Sequence, residues 1–191
     1  MLTTRTTLFA ALSMAAALTL TSCAGGSPAA TPSAASETST FNTADVIFAQ
    51  MMIPHHEQAV EMSDDLLAKD GIDQDVVDLA ADIKTAQQPE IDRMQGWLTE
   101  WDAEEDSMAG MDHGSDGMMS AEDMTMLQDA SGTDASRLFL QQMTLHHEGA
   151  VAMAQLEIDD GENADAVKMA TGIVTTQTAE IAVMADLLET L

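Results

Sequence analysis

The sequence predicts an all-α protein, a four-helix bundle built from two repeated αα-hairpins. Three observations carry this. A sequence shift of 91 brings Phe48, Met52, His55, His56, Glu57, Ala59 and Met62 onto Phe139, Met143, His146, His147, Glu148, Ala150 and Met153. Further on, a shift of 90 brings Ile83, Gln87, Glu90, Ile91 and Met94 onto Ile173, Gln177, Glu180, Ile181 and Met184. Within each segment the apolar residues step by three and four, as in Phe48, Met52, His55, Ala59, Met62 and Leu66, which keeps one stripe on one helical face. Two hairpins with one stripe each bury those stripes best against each other. Tyrosine is absent and Ala, Met, Leu and Asp dominate, a composition suited to helices rather than strands.

Residues 1–22 are set apart from this pattern. Arg5 precedes an apolar run from Leu8 to Leu20 that is too short for a stable bilayer span, the layout of a secretory signal. The run ends in Leu20-Thr21-Ser22-Cys23, similar to the lipobox of bacterial lipoproteins, and Cys23 is the only cysteine. One cysteine cannot form an internal disulfide, so lipidation of Cys23 is the expectation, with an ordinary signal peptide as the alternative. Residues 23–40 are rich in Gly, Ala, Ser, Pro and Thr and read as a flexible tether. The expected domain is 41–191, exported and lipid-anchored on the outer face of the cell membrane.

Lys+Arg total 6 against Asp+Glu 33, giving a net charge of -27, which repels nucleic-acid phosphates and excludes them as partners. The first helical segment carries Pro54 inside its stripe, which removes a helical hydrogen bond to the Gln50 carbonyl and predicts a bend in that half alone, because Leu145 stands at the matching position. Short turns near Gly71 and Gly161 close the hairpins. The connection between them, about 102–133, holds Met108, Met111, His113, Met118 and Met119 among glycines and aspartates. Ser120 and the acidic residues after it predict the cap of a short helix reaching about Gln128.

The stripes place His55, His146, Gln87, Glu90, Gln177 and Glu180 in an otherwise apolar core, where polar groups are costly without partners. Either the histidines hydrogen-bond the Gln and Glu side chains as a layer that sets register, or they bind metal with Gln and Glu supporting them. Two symmetric His-His pairs flanked by methionine favour metal. Di-iron bundles use Glu-x-x-His, but here Met52 and Met143 stand three residues before the histidines, and Met62 and Met153 lie two turns beyond. Thioether with imidazole suits Cu(I), while imidazoles and nearby carboxylates accommodate Cu(II). The methionines of the 102–133 connection have no helical stripe to fill and read as a flexible soft-metal collector, the alternative being a linker that is incidentally Met-rich. Adjacent helical residues diverge by about 100°, so one histidine of each pair is free to face outward.

The stretches "MMIPHHEQAVEM" and "MTLHHEGAVAM", each followed by a "Q..EI..M" helix, resemble the bacterial family called domain of unknown function 305. The resemblance implies a ferritin-like four-helix fold and, from some exported members, copper binding through Met and His. Carried over by position, it implies Met51, Met52, His55, His56, Met62, Met143, His146, His147 and Met153 as ligands, with Gln142 departing where the first half has Met51. The expected function is an extracytoplasmic copper-binding protein that sequesters copper or hands it to a partner protein. A ferritin-like metallo-oxidase and a structural bundle with an internally satisfied histidine layer are the alternatives.

Overall fold

In a computed structural model, residues 40–105 and 117–191 are described. The signal segment, Cys23, nearly all of the tether, Met108, Met111 and His113 lie outside them. Four long helices and one short one follow in the order α1 (Thr43–Leu67), α2 (Gln74–Glu100), α3 (Ala121–Asp129), α4 (Gly132–Asp160) and α5 (Ala164–Thr190). Among the described residues no helix is long and apolar enough to cross a membrane.

The helices begin where short polar side chains replace the missing intrahelical acceptors. Asn42 and Asp45 form a reciprocal capping box on α1, and Ser120 and Asp123 form one on α3. Asp73 caps α2 and Asn163 caps α5, each accepting from backbone N–H groups two or three residues on. The α1–α2 turn passes through Gly71 at φ 75, a conformation open to glycine. Pro54 sits exposed within α1, and the helix continues through it. Pro89 does the same in α2, so both interior prolines belong to the first hairpin.

Helices α1 and α4 run antiparallel at the centre. The N-terminus of α1 meets the end of α4 through Asn42 Nδ2, which donates to the Asp160 carbonyl at 2.8 Å. Helix α2 packs on α1 and α5 on α4, whereas α2 and α5 scarcely touch. The described parts of the connection from α2 to α4 touch α1 at two heights. The connection starts beside Gln50, which donates to the Glu104 carbonyl, and passes Gln58 at Met119. Helix α3 then lies against α1 and α4, with Gln142 donating to the Asp123 carbonyl.

The core consists of two apolar clusters. One gathers Phe48, Met52, Ile53, Trp97, Met153 and Ile173; the other gathers Met62, Leu66, Ile83, Phe139, Met143 and Met184. Each such side chain contributes about 1.5–3 kcal/mol on burial. Because the hairpins are related by a pseudo-twofold across the bundle, each cluster receives Met52 or Met143 from one half and Met153 or Met62 from the other.

At the end where α1 begins, a knot of polar groups replaces apolar packing. Asp45 accepts from the backbone N–H groups of Asn42, Glu162 and Asn163 at 2.6, 3.3 and 2.8 Å. Burial pulls its carboxyl upward, but these donors and the Glu157 side chain outweigh it and hold Asp45 below its usual value. Glu157, only 1% exposed, faces it. Burial first, then the neighbouring Asp45 carboxyl and its charge, push Glu157 up to about 8, so at neutral pH Glu157 holds its proton.

Candidate metal centre

Between the apolar clusters lies the histidine layer. His55, His56, His146 and His147 are all fully buried, so neither histidine of a pair takes the outward position that helical geometry left open. The reason is packing. Each central helix is covered by its hairpin partner on one side and by the other central helix on another, and that buried arc is wide enough for two adjacent positions.

The two histidines of a pair do different things. His55 and His146 meet at the pseudo-twofold with ring centroids 3.7 Å apart and planes inclined by 39°. His56 turns to α2, where its Nε2 lies 2.8 Å from Glu90 Oε2; His147 turns to α5, its Nε2 2.7 Å from Glu180 Oε2. These contacts fix the proton on Nε2 when the ring is neutral, and leave the buried Nδ1 of His56 and His147 without a hydrogen bond. Burial above all, then the neighbouring His55, His147 and His56, hold the His146 pKa well below its ordinary value, so its ring is neutral and one of its two nitrogens keeps a lone pair. Neither nitrogen of His146 makes a hydrogen bond, and the nearby His55 backbone gives only a weak opposing pull.

Gln87 and Gln177, one turn before the glutamates, are each 3% exposed. Both polar atoms of the Gln87 amide and the Gln177 Oε1 are also without hydrogen bonds. Each unpaired buried polar atom costs about 1–3 kcal/mol. The imidazole nitrogens and amide oxygens among them keep lone pairs that a cation could take up, whereas the Gln87 Nε2 has only N–H groups to offer. Among the described residues no three His, Cys, Asp or Glu side chains converge on one point as a hard-metal cluster. Imidazoles with thioethers from the adjoining clusters are the donor set at hand, and that set matches a soft ion of low coordination.

The methionines divide by position. Met52, Met62 and Met143 are fully buried, in the clusters either side of the layer. Met51 and Met153 line a hollow of about 290 Å³ between α1 and α4. Met118 and Met119 line a second, of about 400 Å³, which shares Gly149 and Ala152 with the first. Gln142, the counterpart of Met51, is turned to α3 by its hydrogen bond to Asp123. Sequence reasoning missed Gly149 and Gln58, which shape this seam, and the Asp45–Glu157 pair; the breaks in the repeat at these positions were the available signal.

A four-helix bundle of two hairpins with paired histidines at its pseudo-twofold defines the class. The model of the family "Domain of unknown function (DUF305)" matches residues 45–188, and the chain belongs to that family. It is 37% identical to the DUF305 protein of Streptomyces coelicolor, covering 76% of this chain and 91% of that one at a TM-score of 0.69. A DUF305 fragment from Deinococcus radiodurans is 30% identical, with 78% and 98% covered and a TM-score of 0.72. CopM in its Cu(II)-bound form is 30% identical, with 76% and 96% covered and a TM-score of 0.67. CopM structures similar to this chain also include Cu(I)-bound and Ag-bound forms. No curated protein matches the chain.

Proposed function

We propose that this protein binds copper outside the cytoplasm, holding Cu(I) in the histidine layer and either sequestering it or passing it to a partner protein. The observation that carries the reading is the set of buried, unbonded donor atoms on His56, His146, His147 and Gln87 around the pseudo-twofold. Their counterparts in hydrogen bonds, Glu90 and Glu180, act as the carboxylates that orient metal-binding imidazoles. Met52, Met62 and Met143 supply thioethers from the flanking clusters, and the imidazoles with the two glutamates accommodate Cu(II). CopM, similar along the whole bundle, is a protein seen with Cu(I), Cu(II) and Ag, which supports this choice of ion.

Export and tethering through Cys23 belong to the same reading. They rest on the signal-like residues 1–22 and on the Streptomyces coelicolor relative, which is classed with secreted proteins. Binding requires no catalytic step. The test is a Cu(I) competition titration of the chain against a His55→Asn/His146→Asn variant of the central pair. Tight, stoichiometric binding that is lost in the variant supports the reading; undiminished affinity in the variant refutes the histidine layer as the site.

A further inference from the structure

We infer that the seam between α1 and α4 is the loading path to the histidine layer, and that Met51, Met118 and Met119 are exchange donors along it rather than resting ligands. The inference rests on the copper reading above and assigns a route to it. Two adjoining hollows lie along this face of α4, one between α1 and α4 and the other between α4 and residues 117–119, and both are walled by Gly149 and Ala152. Thioethers line both: Met51 and Met153 in one, Met118 and Met119 in the other. Met51 packs against the apolar cluster on one side of the histidine layer and Met119 against the cluster on the other, so the donors straddle the layer's height. His146 and His147 precede Gly149 on α4 by less than one turn.

The seam has this shape because of two glycines and one glutamine. Gly149 stands in the interior of α4, where glycine costs about 1 kcal/mol relative to alanine, while Gln58 holds the matching position of α1. Gly117, at φ 78, lies directly on it. A Cβ on Gly117 would fall 2.5 Å from the Leu145 carbonyl oxygen and 2.9 Å from the Gly149 Cα. Gln58 then grips the backbone of Met119 in both directions, donating to its carbonyl at 2.9 Å and accepting from its N–H at 2.7 Å. Met118 and Met119 are therefore positioned by their backbone, which leaves their side chains free to exchange a ligand.

A soft monovalent ion crosses such a seam by associative exchange. One thioether bonds as another leaves, with no change in oxidation state and no proton moved. Phe48, Ile47 and Leu156 make most of the first wall apolar, beside the carboxylates of Glu157 and Asp160. The thioethers that line both hollows favour a soft ion, while Glu157, Asp160 and Glu148 offer oxygen ligands at their margins.

The experiment delivers Cu(I) as its bicinchoninate complex to the full chain and follows transfer by stopped-flow absorbance, with the end point giving affinity. Replacing Met51, Met118 and Met119 together by leucine keeps volume and hydrophobicity, and circular dichroism checks the fold; Met51→Leu alone is the milder companion. The expected result is uptake and release about tenfold slower for the triple variant, with affinity unchanged. Affinity that falls with the rate makes these residues resting ligands and overturns the inference. Unchanged rates overturn it as well and move entry to the α2–α5 side. Wild-type protein that takes no Cu(I) overturns the copper reading itself, a result distinct from both.

Discussion

Glu157 occupies the position that Leu66 fills in the first half of the repeat, and replacing it reports on the polar knot at that end of the bundle. Its pKa rises from 4.5 to about 8 in the folded chain, so the folded state holds a proton that the unfolded chain releases above about pH 4.5. The stability tied to that proton is fully present below 4.5 and is lost as pH rises through about 8. At about 1.36 kcal/mol per pH unit, the loss is on the order of 5 kcal/mol, a large share of the roughly 5–15 kcal/mol that holds a domain. Asp45, shifted the other way, contributes stability above 3.8 that disappears in acid. His146 also loses stability as pH falls below 6.5, so the readout is the difference between variant and wild type rather than either curve alone. Glu157→Gln keeps the shape and removes the titration, and Glu157→Leu copies the other half. Urea unfolding followed by tryptophan fluorescence at pH 5, 7 and 9 should show both variants gaining on the wild type as pH rises. Parallel curves for wild type and Glu157→Gln would refute the raised Glu157 pKa.

Glu90→Gln combined with Glu180→Gln should lower copper affinity by about 10- to 100-fold with little change in helix content, measured by competition titration and circular dichroism. Gly117→Ala should cost about 1–3 kcal/mol in urea unfolding, because its backbone is left-handed and its Cβ strikes the Leu145 carbonyl. Cu(I) at one hundred times its dissociation constant should stabilise the chain by about 2.7 kcal/mol, seen as a rise in Tm, and removal by chelator should reverse it.

The fold was legible because helical stripes and a repeat are properties of spacing, and spacing survives in one dimension. Ser120 and its acidic followers announced α3 for the same local reason. What the pairs do was less legible. Which of His55 and His56 faces inward depends on how many neighbours α1 has, and a sequence gives a stripe without the width of the arc that covers it. The pairing of His56 with Glu90 and the meeting of His55 with His146 separate adjacent residues into two tasks that only the tertiary arrangement distinguishes. Gln142 looked like a ligand position left vacant, yet it docks α3. Pro89 escaped notice although it repeats the position of Pro54 beside a site residue. Glu157 was hidden because a glutamate near a helix end ordinarily reads as solvated.

The close meeting of His55 and His146 has a consequence for how the two halves have been able to diverge. At the pseudo-twofold each half completes the other, so a change on one side alters a joint object, and His, Gln, Glu and Met there are the same in both copies. Away from that crossing point the copies part company: Leu66 against Glu157, Asp45 against Ser136, Trp97 against Leu187, Gln58 against Gly149. One end has become aromatic and carboxyl-bearing, the other apolar and roofed by α3. Symmetry is thus kept where two chains of logic must agree on one object, and spent elsewhere on making the ends unlike, so that a molecule with a symmetric heart presents two different faces to its surroundings.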